Sequence, residues 1–187
     1  MEEIKFEFID KYKDAGLTLP VRKTANSAGY DFVCAEDTVV PSIFVMTNSV
    51  KDALTVPIGD DEYLNLKTMA KLTKESGFRP TLIPTGIKCK MPKDYYLQLS
   101  VRSSAPLKHW LILANGTGII DSDYYHPAPT DEGEGHIQFQ LINLSPFNII
   151  IKKGEAIGQG IFLKYATTTD DSASGERNGL GFGSTDK

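Results

Sequence analysis

Three stretches of the chain set polar chemistry on short backbone segments. The first is VRSSAP at 101 to 106. Arg102 places a fixed guanidinium fork beside the hydroxyls and amides of Ser103 and Ser104, a set that suits phosphate oxygens; as a lone triplet it also reads as a surface turn. The second is NGTGIIDSDYY at 115 to 125. Two glycines followed by Ile119 and Ile120 describe a tight hairpin with backbone amides open to a ligand. Asp121, directly after that apolar pair, is a candidate base or a turn-capping residue. The third is NGLGFGSTDK, which follows Arg177 at the end of the sequence. Its glycines are too dense for a packed helix or strand, yet Phe182, Ser184 and Thr185 are more than a solvating tail carries. It reads as a frayed terminus or as a flap that folds over a ligand.

The elements that must hold these stretches are strands. Short apolar, β-branched and aromatic runs recur between turn residues: IKFEFID, YDFVCA, TLIPTGIKCKM, YYLQLSV, LILANG, GHIQFQLINL, FNIIIKK and AIGQGIFLKY. Several alternate apolar with polar, as in Ile137-Gln138-Phe139-Gln140-Leu141, the period of half-buried strands. The fold class is all-β, a jelly roll or β-sandwich, with 187 residues suiting one domain. One helix is expected over 61 to 76, where Leu64, Met69 and Leu72 recur at helical spacing and Gly77 can stop it. HPAPTDEGEG at 126 to 135 reads as a loop.

A net charge of -4 gives no basic field for nucleic acid or anionic membranes. Cys34 and Cys89 lie in strand-like stretches and match no metal spacing, so they read as buried thiols. The first ten residues hold no apolar run of signal-peptide length, and no stretch approaches the roughly 18 apolar residues of a membrane span. The expectation is a cytoplasmic protein.

Taken together, the motifs resemble those of the trimeric dUTPase family, whose five short motifs occur here in order. They are AGYD at 28 to 31, VRSSAP at 101 to 106, NGTGIIDSDYY at 115 to 125, KKGEAIGQGIF at 152 to 162, and RNGLGFGST at 177 to 185. The resemblance spans nearly the whole chain except a helical insert around 41 to 80 and the loop at 126 to 135. It implies a jelly-roll subunit over 1 to 170 with a C-terminal arm over 171 to 187, a homotrimer, Mg²⁺, and hydrolysis of dUTP to dUMP and pyrophosphate, which keeps uracil out of DNA. By the same resemblance, Asn115 and the backbone around Gly118, Ile119 and Ile120 would bond the uracil edge, and Tyr124 would lie under the deoxyribose. Asp121 would activate the attacking water, with Gln159 holding that water and an α-phosphate oxygen. Arg102, Ser103 and Ser104 would bind phosphates, and Asp31 would reach Mg²⁺ through water, unless it is a structural strand-end residue. Phe182 would stack on the uracil while Arg177, Ser184 and Thr185 contact the terminal phosphates.

The chain departs from the family pattern in three ways. Asn178 and Leu180 replace glycines of the arm, Tyr125-His126-Pro127 opens a longer loop, and Ser104 stands where glycine is common. The last leans toward the related dCTP deaminases. Those place a glutamate three residues before an asparagine, where this chain has Gln140 before Asn143, and glutamine does no acid-base work. A nucleotide-binding regulatory protein, engaging a protein partner through the inserted loops, is the alternative from a different class.

Overall fold

The structure is a computed structural model that describes residues 3–50, 73, 77, 79–129 and 133–175. Ten strands form in the order β1 (Lys5–Phe8), β2 (Tyr30–Val33), β3 (Thr38–Val40), β4 (Thr81–Lys90), β5 (Tyr95–Val101), β6 (Leu111–Leu113), β7 (Gly118–Asp121), β8 (Ile137–Asn143), β9 (Ile149–Ile151) and β10 (Ala156–Lys164). They build two four-stranded antiparallel sheets, β1-β4-β8-β6 and β2-β10-β5-β7, and a β3-β9 ribbon. All eight runs read as strands from their patterning form strands, and the all-β expectation holds. Among the described residues no helix is long and apolar enough to cross a membrane.

Alternation decides which side chains meet between the sheets. On β8, Ile137, Phe139 and Leu141 are buried while Gln138 and Gln140 face the other way. Phe139 meets Phe32 of β2, their ring centroids 5.6 Å apart. Phe6 of β1 stands edge-on to Tyr30 and Phe32, each at 5.4 Å. Strand β10 admits these rings because it carries glycine where it faces them. A Cβ at Gly158 would collide with the Phe139 ring, and one at Gly160 would lie 2.8 Å from Leu97. Both cysteines are buried free thiols, as expected, and burial pushes the Cys89 thiol up to about 12.

The structure corrects three local expectations. The turn after LIL is no β-hairpin: β6 pairs with β8 and β7 pairs with β5, so Asn115–Thr117 carries the chain from one sheet to the other. Pattern and turn residues are the same for either course, and sheet membership is a long-range choice. A helix, α1 (Ile43–Val50), forms inside the insert where the sequence reads β-branched and apolar. Buried Ser42 drives it, its hydroxyl accepting from the Phe44 N–H (3.1 Å) while donating to the Ser145 carbonyl (2.6 Å). The Arg102-Ser103-Ser104 triplet is also not a simple turn, because Ser104 opens a second short helix, α2 (Ser104–His109). The helix expected over 61 to 76 lies outside the described residues except for its end. There Gly77 takes φ 69° and its N–H donates to the Thr73 carbonyl at 3.1 Å, the stop expected of it.

The loop at 126 to 135 is closed at its base by an ion pair that nothing in the sequence pattern announces. Lys88 Nζ meets Glu134 Oε1 at 2.9 Å, with side chains only 3% and 9% exposed. Charges this far from water are held only by full pairing. Lys88 also donates to the carbonyls of His126 (3.0 Å) and Pro127 (3.2 Å), and Glu134 Oε2 accepts from the Asp10 N–H (2.9 Å).

The glycines of β10 supply a direct test of the sheet contact. Gly158→Ala should cost about 1–3 kcal/mol through overpacking against Phe139. Gly175→Ala, where an added Cβ meets nothing within 4 Å, should be near neutral. Chemical denaturation midpoints of the two variants check this, and equal midpoints would contradict the packing described.

Candidate active site

The site residues fall into two groups. Asn115, Gly118, Ile119, Ile120 and Tyr124 line one pocket of about 170 Å³. Local backbone needs explain its shape. Gly116 sits at φ 69° and its N–H donates to the Leu113 carbonyl (3.0 Å), while the Thr117 N–H donates to the Asn115 carbonyl (2.7 Å). Gly118 lies against Leu99 of β5, so closely that a Cβ there would stand 3.0 Å from the leucine Cβ. This brings the β7 backbone onto the pocket wall.

Tyr124, in a 3₁₀ turn after β7, is buried and donates its hydroxyl to the His136 carbonyl at 2.9 Å. Gly135 takes φ 79°, and a side chain there would strike the Tyr124 carbonyl. Asp121 ends β7 and precedes that turn, to which its carboxylate makes no capping bond; the turn-cap reading of this residue therefore falls.

The second group is Asp31, Arg102 and Gln159. Gln159 on β10 lies between Asp31 of β2 and Ser100 of β5. Arg102, just past β5, brings Nε to 3.7 Å from Asp31 Oδ1. Gly29 explains the first motif, since a side chain there would collide with the Gln159 amide. Asp31 Oδ2 is buried with no hydrogen-bond partner among the described residues, an oxygen oriented for something else. Ser103 and Ser104 follow Arg102 at the start of α2, and Ser103 makes no side-chain cap bond. Arg177, Phe182, Ser184 and Thr185 lie outside the described residues.

Strand β5 measures the gap between the groups. Asp121 pairs with Tyr96 and Gln159 with Ser100, four positions or about 13 Å apart at the rise of a strand. Arg102 lies about 20 Å from the Tyr96 end by the same measure. The pocket itself starts nearer, since Gly118 pairs with Leu99, one position from Ser100, so the two groups are set apart mainly across the sheet, on β7 and β10 with β5 between them.

A sequence model of the dUTPase family matches residues 61–186. The chain belongs to the dUTPase family. It is 35% identical over 181 residues to the deoxyuridine 5'-triphosphate nucleotidohydrolase of Lactococcus lactis, covering 96% of this chain and 95% of that protein. The dUTPase of Streptococcus mutans superposes with a TM-score of 0.63 at 31% identity, over 87% of this chain and 97% of that one. A point mutant of the dUTPase from phage phi11 of Staphylococcus aureus, whose structure concerns coordination of a structural Mg(II) ion, shares the fold at 14% identity with a TM-score of 0.58. It covers 93% of this chain and 98% of that one.

Within this dUTPase fold, several pocket residues were not singled out for binding from the sequence. Gln138, Gln140 and His136 line the same cavity. The glutamines read as the polar half of an alternating strand, Gln140 also as standing where a deaminase has glutamate, and His136 as part of the same strand run. No carboxylate lines the pocket among the described residues. Asn143 is a structural knot, bonding the carbonyls of Val40 (3.0 Å) and Phe147 (2.7 Å) and the Ser145 N–H (2.9 Å).

His136 is neutral here by two independent routes. The Gly86 N–H donates to Nε2 at 3.0 Å, so that nitrogen keeps its lone pair and the ring proton sits on Nδ1. Burial lowers its pKa to about 4. A folded value below the unfolded 6.5 means that the unfolded chain binds the extra proton first. The stabilisation is then complete above pH 6.5 and is lost as pH falls toward 4. Unfolding free energy should drop by on the order of 3 kcal/mol more in the wild type than in His136→Gln between pH 7 and 4. Parallel urea titrations at those pH values check it; identical pH dependence would show that His136 is not held neutral.

Proposed function

We propose that this chain is a homotrimeric, magnesium-dependent dUTP diphosphatase in which each site is shared between subunits. Membership of the dUTPase family gives the reaction class. The observation that carries the finer reading is the single pocket lined by Asn115, Gly118, Ile119, Ile120 and Tyr124, with Asp121 ending the same strand. At about 170 Å³ it is smaller than the roughly 300–1,000 Å³ of whole-ligand sites. It suits the base and sugar and leaves a triphosphate to be held elsewhere.

Uracil enters against the β7 backbone, where exposed amides and carbonyls pair with its edge and the Asn115 turn leaves no room for a larger ring. The Tyr124 ring occupies the space a ribose 2'-hydroxyl needs. Asp121 takes a proton from the water that attacks the α-phosphorus. The bond from that phosphorus to the oxygen bridging toward the β-phosphate breaks, and dUMP and pyrophosphate leave. Gln159 orients the water and an α-phosphate oxygen. Arg102, Ser103 and Ser104 draw off the charge that develops on the phosphates.

The orphaned, buried Asp31 Oδ2 fits a hard cation approached through water. Among the described residues no group of three or more His, Cys, Asp or Glu could cage an ion, so the polyphosphate would supply most of the ligands. Mg²⁺ bound there would neutralise phosphate charge and fix the triphosphate's conformation. The arm closes the site, Phe182 stacking on uracil and Arg177, Ser184 and Thr185 meeting the terminal phosphates, which excludes water. Asp121 and Gln159, both assigned to one water, lie about 13 Å apart along β5, which supports sharing: Asp121 and the base pocket of one subunit meet the Asp31-Arg102-Gln159 cluster of another.

Asp121→Asn should bind dUTP nearly as tightly as wild type while turnover falls by roughly 10² to 10⁴-fold. Pyrophosphate release and isothermal titration check this, and more than about a third of wild-type turnover would remove Asp121 from the role. Shared sites also predict complementation. Asp121→Asn chains and chains truncated before Arg177 should each be nearly inactive, yet regain activity when denatured together and refolded as mixed trimers. Mixed but unrefolded homotrimers are the control. Verified heterotrimers as inactive as their parents would rule out an arm donated between subunits.

A further inference from the structure

The described residues of the loop at 126 to 135 lie next to the pocket without lining it, and the loop's base carries the most deeply buried charges among the described residues. Lys88 would be read from the IKCK alternation as one of two outward lysines. Instead it is 2% exposed, whereas Lys90 faces solvent. Its ammonium binds three acceptors that belong to the two ends of the loop: the His126 and Pro127 carbonyls on the way out and Glu134 Oε1 on the way back. The His126 N–H donates to the Glu134 carbonyl (3.3 Å), closing the ends on each other. Glu134 Oε2 then ties the loop to the Asp10 N–H near the N-terminal strand. Tyr125, whose ring faces the ammonium at 5.4 Å, bonds Glu7 at 3.0 Å.

The segments that leave this clamp toward the pocket carry Tyr124 on one side and Gly135-His136 on the other. They are joined across the loop base by the Tyr124 hydroxyl on the His136 carbonyl (2.9 Å). We propose that Lys88 and Glu134 are positioning residues for sugar selection: by fixing both ends of the loop, they hold the His136 carbonyl where it orients the Tyr124 ring. Neither side chain touches the pocket. Their effect reaches the substrate only through Tyr124, and the inference rests on Tyr124 being the residue that excludes the 2'-hydroxyl.

The pair is uncommon in kind as well as place. A buried ion pair gives little net stability over an apolar pair of the same shape. Its value here is directional, since an ammonium has three donors to aim at three acceptors, which no apolar replacement could do.

The test compares the ratio of kcat/KM for dUTP to that for UTP in full-length protein. Removing one partner leaves a buried charge alone, so the main variant is Lys88→Met with Glu134→Gln, which keeps volume and removes both charges. Val40→Ala, a core truncation in the β3-β9 ribbon, serves as a destabilised control. The double variant should lose at least about tenfold of the dUTP preference, the scale of effect expected from a misplaced positioning group. Tyr124→Phe, which keeps the ring and loses the bond to His136, should move the same way. Val40→Ala should keep the wild-type ratio despite a lower unfolding temperature. If the double variant does not fold, Glu134→Gln alone is read by the same ratio. An unchanged ratio in the clamp variant, with Tyr124→Ala lowered, overturns the positioning role and leaves the pocket reading standing. An unchanged ratio in Tyr124→Ala overturns the pocket reading and this inference with it.

Discussion

Strand β10 sets the terms for the rest of the molecule through the simple alternation of a pleated strand. Gly158 and Gly160 face inward, and their missing side chains are the space that Phe139, Leu97 and Phe32 fill. Gln159 between them faces outward, flanked by Asp31 and Ser100. The closeness of the two sheets and the aim of the Gln159 amide are thus one constraint. A slip of one residue would turn the glutamine into the core and a glycine toward the ligand. That is a physical reason for the motif's Gly-Gln-Gly spacing.

From β10 the arrangement passes to β5, which pairs with it on one side and with β7 on the other. Ser100 lies beside Gln159 and Tyr96 beside Asp121, so one strand keeps Asp121 and Gln159 four positions apart. Rigid separation of this kind suits an enzyme assembled from copies. In the shared-site reading proposed above, association rather than folding completes a site. The base pocket is made by local turns at Gly116 and Gly118, and does not wait for a partner.

Much of this was legible in the residues. Strands were readable because alternation and β-branched content are local properties, and the glycines of three motifs were readable because Gly29, Gly116, Gly118, Gly158 and Gly160 answer local steric demands. What escaped was long-range. The turn at Asn115–Thr117 looks the same whether it joins paired strands or crosses between sheets. Helix α1 is spelled in strand-forming residues, and the hydroxyl of Ser42 overrules them only because Ser145 is brought beside it by the fold. Lys88 looks like an outward residue only if the alternation of β4 is extended across Pro84 and Ile87, where the register with β8 shifts. Its partner lies 46 residues away, beyond what any local pattern conveys.

The closed base of the 126 to 135 loop has a consequence for how such a protein can change over time. A segment whose two ends are fastened to the body is mechanically isolated from it, so residues inserted or exchanged between Pro127 and Glu134 alter the outer surface while the tyrosine beneath keeps its place. The fold thereby offers lineages a region in which to gain new surface character without re-tuning their chemistry.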